Sequence, residues 1–212
     1  MQEKFKSLGY TYDLDDLDYP AININLKTGL GAFITAGRSL KYGKSVKIGV
    51  ANLKNVLKET SSTCNKTNYV LMGYSQGAQV LGDTLREDIN PSQITFAAFF
   101  GDPQLFLPES NNNACAGENL SVYRKDVTDC KVESGILGAR IPYVPEEFID
   151  KSGTWCNKDD AICGSGIKLK NNTAHLAYPQ KIKKFIQGLD IGNITGKNIP
   201  ITPIEKQTKA GH

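Results

Sequence analysis

An apolar run that ends in a glycine-flanked serine and passes straight into a helix constrains this chain more than any other feature. Asn68 to Gly73 reads NYVLMG, Gly73 to Gly77 reads GYSQG, and Gln76 to Arg86 carries Val80, Leu81 and Leu85. A short apolar run without polar alternation predicts a strand buried on both faces, and the 3–4 spacing after it predicts an amphipathic helix. Thr95 to Phe100 (TFAAFF) repeats the strand pattern and stops at Gly101-Asp102-Pro103. Ser45 to Glu59 puts Val46, Val50, Leu53 and Leu57 on one helical stripe, with Lys44, Lys47, Lys54 and Lys58 off it. Apolar strands alternating with amphipathic helices predict an α/β fold with a central parallel sheet flanked by helices.

The rest of the chain is less patterned. Residues 10–17 interleave Tyr10, Tyr12, Leu14 and Leu17 with Asp13, Asp15 and Asp16, which suggests a strand, at a sheet edge or with the aspartates at its end. Residues 103–174 read mostly as loop and hold four of the five cysteines. Tyr178 to Gly188 reads as a terminal helix with Ile182, Phe185 and Ile186 on one side. A length of 212 residues suits one domain, read here as residues 1–188, with 189–212 as a Gly-, Thr-, Lys- and Pro-rich tail or linker. With 25 basic and 22 acidic residues, the net charge of +3 is too balanced to predict a nucleic-acid partner. No stretch approaches about 18 consecutive apolar residues, so no transmembrane segment is expected.

The pentapeptide GYSQG matches G-x-S-x-G, and its strand–turn–helix setting is what a nucleophile elbow requires. Such a turn lifts the Ser75 hydroxyl above the sheet at a helix N-terminus, where free N–H groups favour negative charge. A serine needs a base to act as a nucleophile. The chain has two histidines, and His212 is its last residue, which leaves His175 as the candidate. The base in turn needs a carboxylate to hold its tautomer. Fourteen acidic residues lie between Ser75 and His175, and spacing does not choose among them. Asp159 and Asp160 stand out because Cys156 and Cys163 flank them. A disulfide there would close a ring of eight residues worth roughly 2.5 kcal/mol. A zinc site is a poor alternative, because no nearby histidine and no second Cys pair accompany that spacing.

These residues together resemble the cutinase family of serine esterases. The resemblance rests on Asp18-Tyr19-Pro20-Ala21, Gly73-Tyr74-Ser75-Gln76-Gly77-Ala78-Gln79-Val80, Phe100-Gly101-Asp102-Pro103, Arg140-Ile141-Pro142, the segment from Cys156 to Cys163, and His175-Leu176-Ala177-Tyr178. The Gly-Asp-Pro is more like bacterial members, actinobacterial ones especially, than fungal ones. The resemblance implies a lidless α/β-hydrolase with Ser75 as nucleophile, His175 as base and Asp160 as acid, the fourth residue after the first cysteine of the pair. It implies an oxyanion donor at the Gln76 N–H, a Cys156–Cys163 disulfide, and no metal or cofactor. Cys115–Cys130 is the pairing expected for two of the remaining cysteines.

The substrates implied are lipid-like or small carboxylic esters, handled by a secreted monomer. Leu105, Phe106, Leu107, Ile141, Val144, Ile167 and Leu176 are candidates for an acyl groove. A cell-wall lipid (mycolate-type) esterase and a catalytically impaired binding domain on the same scaffold are the alternatives. Family members begin with a cysteine, a strand and a small-residue loop that gives the second oxyanion donor. Here the chain starts on the following helix, and Cys64 lacks that early partner. The expectation is therefore an N-terminally incomplete form of the enzyme.

Overall fold

The structure is a computed structural model that describes residues 11, 13–22, 40–64, 66–107, 121–124, 133–157, 160–164, 173–180 and 182. Helix α1 (Leu40–Thr63) leads into strand β1 (Tyr69–Tyr74) and helix α2 (Gln76–Leu85). Strand β2 (Ile94–Phe100) follows a single 3-10 turn. The chain then forms β3 (Phe106–Leu107), β4 (Ser121–Arg124), β5 (Glu133–Ser134), β6 (Ser152–Cys156) and the short helix α3 (Thr173–Leu176). β1, β2, β6 and β4 lie side by side in that order in one sheet, and each neighbouring pair is parallel. β3 and β5 make a separate two-residue antiparallel pair.

β2 shows why a continuous apolar run makes a central strand. Phe96, Ala98 and Phe100 face a cluster with Trp155 and Tyr178. Ile94, Ala97 and Phe99 face the larger core with Leu53, Leu57, Leu81 and Leu85. Both faces are covered, so polar alternation would strand polar groups away from water. α1 is longer at both ends than the 45–59 span expected. Its buried positions Tyr42, Ser45, Val46, Gly49, Leu53 and Leu57 follow the 3–4 rhythm of a helix with one packed face.

Three expectations change. β6, SGTWC, is a fully buried strand between β2 and β4, inside a stretch read as loop. It has no apolar run, and its five residues are buried because neighbours enclose them on both sides. Residues 13–17 form no strand. Leu14 is 61% exposed, and the three aspartates around it favour water over pairing. The segment that follows is tied down by side chains of α1, with Asn52 Nδ2 donating to the Asp18 carbonyl at 2.6 Å and Ser45 Oγ to the Pro20 carbonyl at 2.7 Å. The terminal helical stretch starts at Thr173 instead of Tyr178, so His175 sits inside a helical turn that breaks at Ala177 and resumes. Residues 183–212, Cys115, Cys130 and Ile167 lie outside the described residues.

A buried ion pair braces the loops over the larger core. Arg140 Nη2 meets Asp102 Oδ2 at 2.6 Å, with side-chain exposures of 1% and 0%. Arg140 Nε donates to the Tyr143 carbonyl at 3.1 Å, and the Gln104 N–H donates to Asp102 Oδ1 at 2.8 Å. The guanidinium reaches this seat past Gly82 of α2, where a Cβ would collide with it. Breaking such a pair leaves one charge buried alone. Asp102→Ala should lower stability by about 3–5 kcal/mol in urea unfolding, whereas Asp102→Leu combined with Arg140→Met should recover most of that loss.

Candidate active site

The carboxyl ends of the strands are level, with Tyr74 opposite Phe100, Phe100 opposite Trp155, and Trp155 opposite Tyr123. Residues just past these ends therefore converge at one edge, the crevice where open α/β sheets present their chemistry. Ser75 follows β1, Gly101 follows β2, and the segment holding Asp160 follows β6.

Ser75 takes φ 53° and ψ −117°, a conformation unusual for any residue with a side chain. Its N–H donates to the Phe100 carbonyl at 2.8 Å, extending the β1–β2 ladder by one bond. The sharp turn that follows needs Gly73, because a Cβ there would strike the Gly77 carbonyl and the Ala78 backbone. Ser75 is the N-cap of α2, yet its side chain makes no capping bond. The Oγ lies instead 2.9 Å from His175 Nε2.

His175 Nδ1 lies 2.9 Å from Asp160 Oδ2. A carboxylate only accepts, so the Nδ1 proton points at Asp160 and Nε2 is left to accept from the serine hydroxyl. Asp160 is 1% exposed. The Ile162 N–H donates to its Oδ1 at 2.9 Å, and the Tyr178 hydroxyl donates to Oδ2 at 2.9 Å. The Cys156–Cys163 disulfide closes the ring in which Asp160 sits, with the Cα atoms 5.8 Å apart.

The His175 imidazole is held from three sides. Asn157 Nδ2 donates to the Ala174 carbonyl at 2.6 Å, and the Tyr74 hydroxyl donates to the His175 carbonyl at 2.9 Å. Gly101, at φ 61°, lies beneath the ring, where a Cβ would come within 2.9 Å of His175 Cε1. Burial, with the Asp160 charge adding to it, pushes the Tyr74 phenol up to about 12. The same causes, in the same order, hold the Tyr178 phenol well above its ordinary value. Both phenols therefore stay protonated and remain donors.

Chemically, this arrangement can move a proton from a serine hydroxyl to an imidazole whose tautomer and positive charge a carboxylate supports. The Gln76 and Gly77 N–H groups open α2 and have no intrahelical acceptor, which gives donors for negative charge beside Ser75. The structure thus brings together Ser75, Gln76, Asp160, His175, Cys156 and Cys163. Asp159 lies outside the described residues.

The groove candidates divide. Leu105 and Val144 are core residues, at 0% and 4% exposure. Ile141 is exposed, but its carbonyl faces Arg86, which caps the far end of α2. That is about 15 Å from Ser75 at the helical rise. Leu176 is exposed next to His175, and it remains the best placed of the set. A cavity of about 150 Å³ bounded by Leu57, Ile89 and Ile94 lies at the amino end of β2 and takes no part in this site. Among the described residues, no group of three or more His, Cys, Asp or Glu is placed to hold a metal.

The family model named Cutinase matches residues 14–188. The chain belongs to the cutinase family. Membership makes it a carboxylic ester hydrolase. Solved structures agree on the fold. The catalytic core domain of acetyl xylan esterase from Trichoderma reesei is 22% identical with a TM-score of 0.52, over 79% of this chain and 76% of that one. A cutinase-like protein from Cryptococcus sp. is 17% identical with a TM-score of 0.52, over 79% and 85%. A search of curated proteins by sequence finds no match.

Tyr178, Tyr74 and Asn157 are the residues of this cutinase-family site that the sequence reading did not assign. Tyr74 and Tyr178 lie inside the GYSQG and His175–Tyr178 motifs, so proximity to the candidate nucleophile and base was the available signal. Gly101→Ala should displace the imidazole and cut ester turnover by about 10²-fold in steady-state assays, while the chain stays folded by circular dichroism. Replacing Cys156 and Cys163 together by Ser should lower unfolding free energy by about 2.5 kcal/mol in denaturant titration.

Proposed function

We propose that the chain is a secreted serine esterase that hydrolyses carboxylic esters through Ser75, His175 and Asp160. One observation carries the reading: the His175 ring lies 2.9 Å from Ser75 Oγ on one side and 2.9 Å from Asp160 Oδ2 on the other. Ser75 Oγ attacks the ester carbonyl carbon as its proton passes to Nε2. The oxygen of the tetrahedral intermediate takes the negative charge and is met by the Gln76 N–H. His175, now protonated and paired with Asp160, gives its proton to the departing alcohol, leaving the acyl group on Ser75. Water then attacks the acyl-enzyme with His175 as base, and the carboxylic acid leaves. The cycle needs neither metal nor cofactor.

Small or lipid-like esters fit this reading. Ser75 is half-buried, and Leu176 offers an apolar surface beside the base. Secretion is supported by the Cys156–Cys163 disulfide, a bond that persists in oxidising compartments. A monomer is the proposed working state.

A chain-length series of nitrophenyl esters, together with a fluorophosphonate probe, tests the assignment. The probe should label the protein stoichiometrically. Ser75→Ala should abolish labelling and reduce kcat by at least about 10⁴-fold with unchanged circular dichroism. Full activity in that variant would refute the reading.

A further inference from the structure

We infer that Tyr178 is a positioning residue for the reaction proposed above: its hydroxyl fixes Asp160 Oδ2 on the line to His175 and shares that oxygen with the imidazole. The inference rests on the reading of Ser75, His175 and Asp160 as the catalytic groups, and it adds a fourth side chain that touches neither substrate nor nucleophile.

The direction of the Tyr178 hydroxyl follows from its neighbours. The Asn157 N–H donates to the phenol oxygen at 2.6 Å, so the phenol proton has to point elsewhere. Asp160 Oδ2 lies 2.9 Å away. The other atom within reach, Cys163 Sγ at 3.5 Å, belongs to a disulfide and is a weak acceptor. The proton therefore goes to Asp160. The ring itself is locked. It is fully buried with Phe100 and Trp155, and it stands 5.5 Å from the Tyr74 ring. Gly101 permits this approach, since a Cβ there would lie 2.8 Å from Tyr178 Cε2.

Asp160 thus receives three donors, and two of them, the His175 Nδ1–H and the Tyr178 O–H, share Oδ2. Donors on one oxygen weaken each other, because each draws on the same negative charge. Tyr178 therefore does two things: it stops the carboxylate from rotating away from the imidazole, and it moderates how strongly that carboxylate stabilises imidazolium. The ionisable groups recorded around His175 and Tyr178 are Asp160 and Tyr74. Tyr74, at about 12, stays neutral where histidine titrates.

Removing the phenol leaves more of the Oδ2 charge for the imidazole. Imidazolium is then favoured, the inactive protonated base persists to higher pH, and the acid limb of kcat/KM moves upward. The test compares wild type with Tyr178→Phe, which keeps the ring, and with site-specific 3-fluorotyrosine at 178, which keeps the hydroxyl as a stronger donor. Turnover is normalised to sites labelled by the fluorophosphonate probe.

Tyr178→Phe should lower kcat by about tenfold with KM unchanged and raise the acid limb by about half a unit to one unit. The fluorinated side chain should move the limb down. A limb that stays in place in both variants overturns the proposal, even where kcat falls, because packing loss alone does not move it. If Tyr178→Phe does not fold, the direction of the fluorotyrosine shift decides. Failure of wild type to label or turn over would instead refute the esterase reading itself.

Discussion

A single backbone bond, from the Ser75 N–H to the Phe100 carbonyl, fixes the point where β1 stops and α2 begins. The conformation it holds is costly. A left-handed residue with a side chain carries strain of about 1–3 kcal/mol. Withholding the serine side chain from its capping role forgoes about 1 kcal/mol more. The enclosed sheet and the buried α2 outweigh both, because eight of the ten helix residues are buried and cannot shift to relax the turn. Strain is therefore stored where a hydroxyl must stand clear of its own helix.

Two carboxylates buried within this fold meet different fates. Asp102 faces Arg140, and its charge is answered by a cation on the spot. Asp160 is met by an imidazole, a phenol and an amide N–H, and among the described residues no lysine or arginine pairs with it. A carboxylate stabilised by dipoles alone retains the capacity to favour a positive charge that develops beside it. Environment, rather than residue type, separates the structural acid from the proposed catalytic one.

The sequence is informative where one pattern has one physical cause. TFAAFF is apolar after its threonine because both faces of β2 are covered, and α1 keeps its 3–4 rhythm because one face is packed; NYVLMG, expected to be buried on both faces, forms β1 at an end of the described sheet, where only Gly73 is fully buried. Ser75 and His175 can be paired from the sequence because GYSQG marks one of the twelve serines and the chain has two histidines, of which His212 is its last residue. β6 was hidden because Ser152, Gly153 and Thr154 bear no mark of burial, and its place depends on neighbours distant in sequence. Spacing alone does not choose Asp160 among fourteen acids; the family resemblance points to it, and the structure places its Oδ2 2.9 Å from His175 Nδ1. Tyr178 read as the start of a helix because its hydroxyl gains meaning only when β6 brings Asn157 and Asp160 to it.

The two glycines of the pentapeptide are unequal. Gly73 has backbone pressed against it, whereas a Cβ on Gly77 would find, among the described residues, nothing nearer than the Tyr19 hydroxyl at 3.8 Å. Alanine is the better helix former by about 1 kcal/mol. A chain with Gly-x-Ser-x-Ala can therefore build the same elbow, and a search pattern strict at its fifth letter would discard it over one added methyl group that fits.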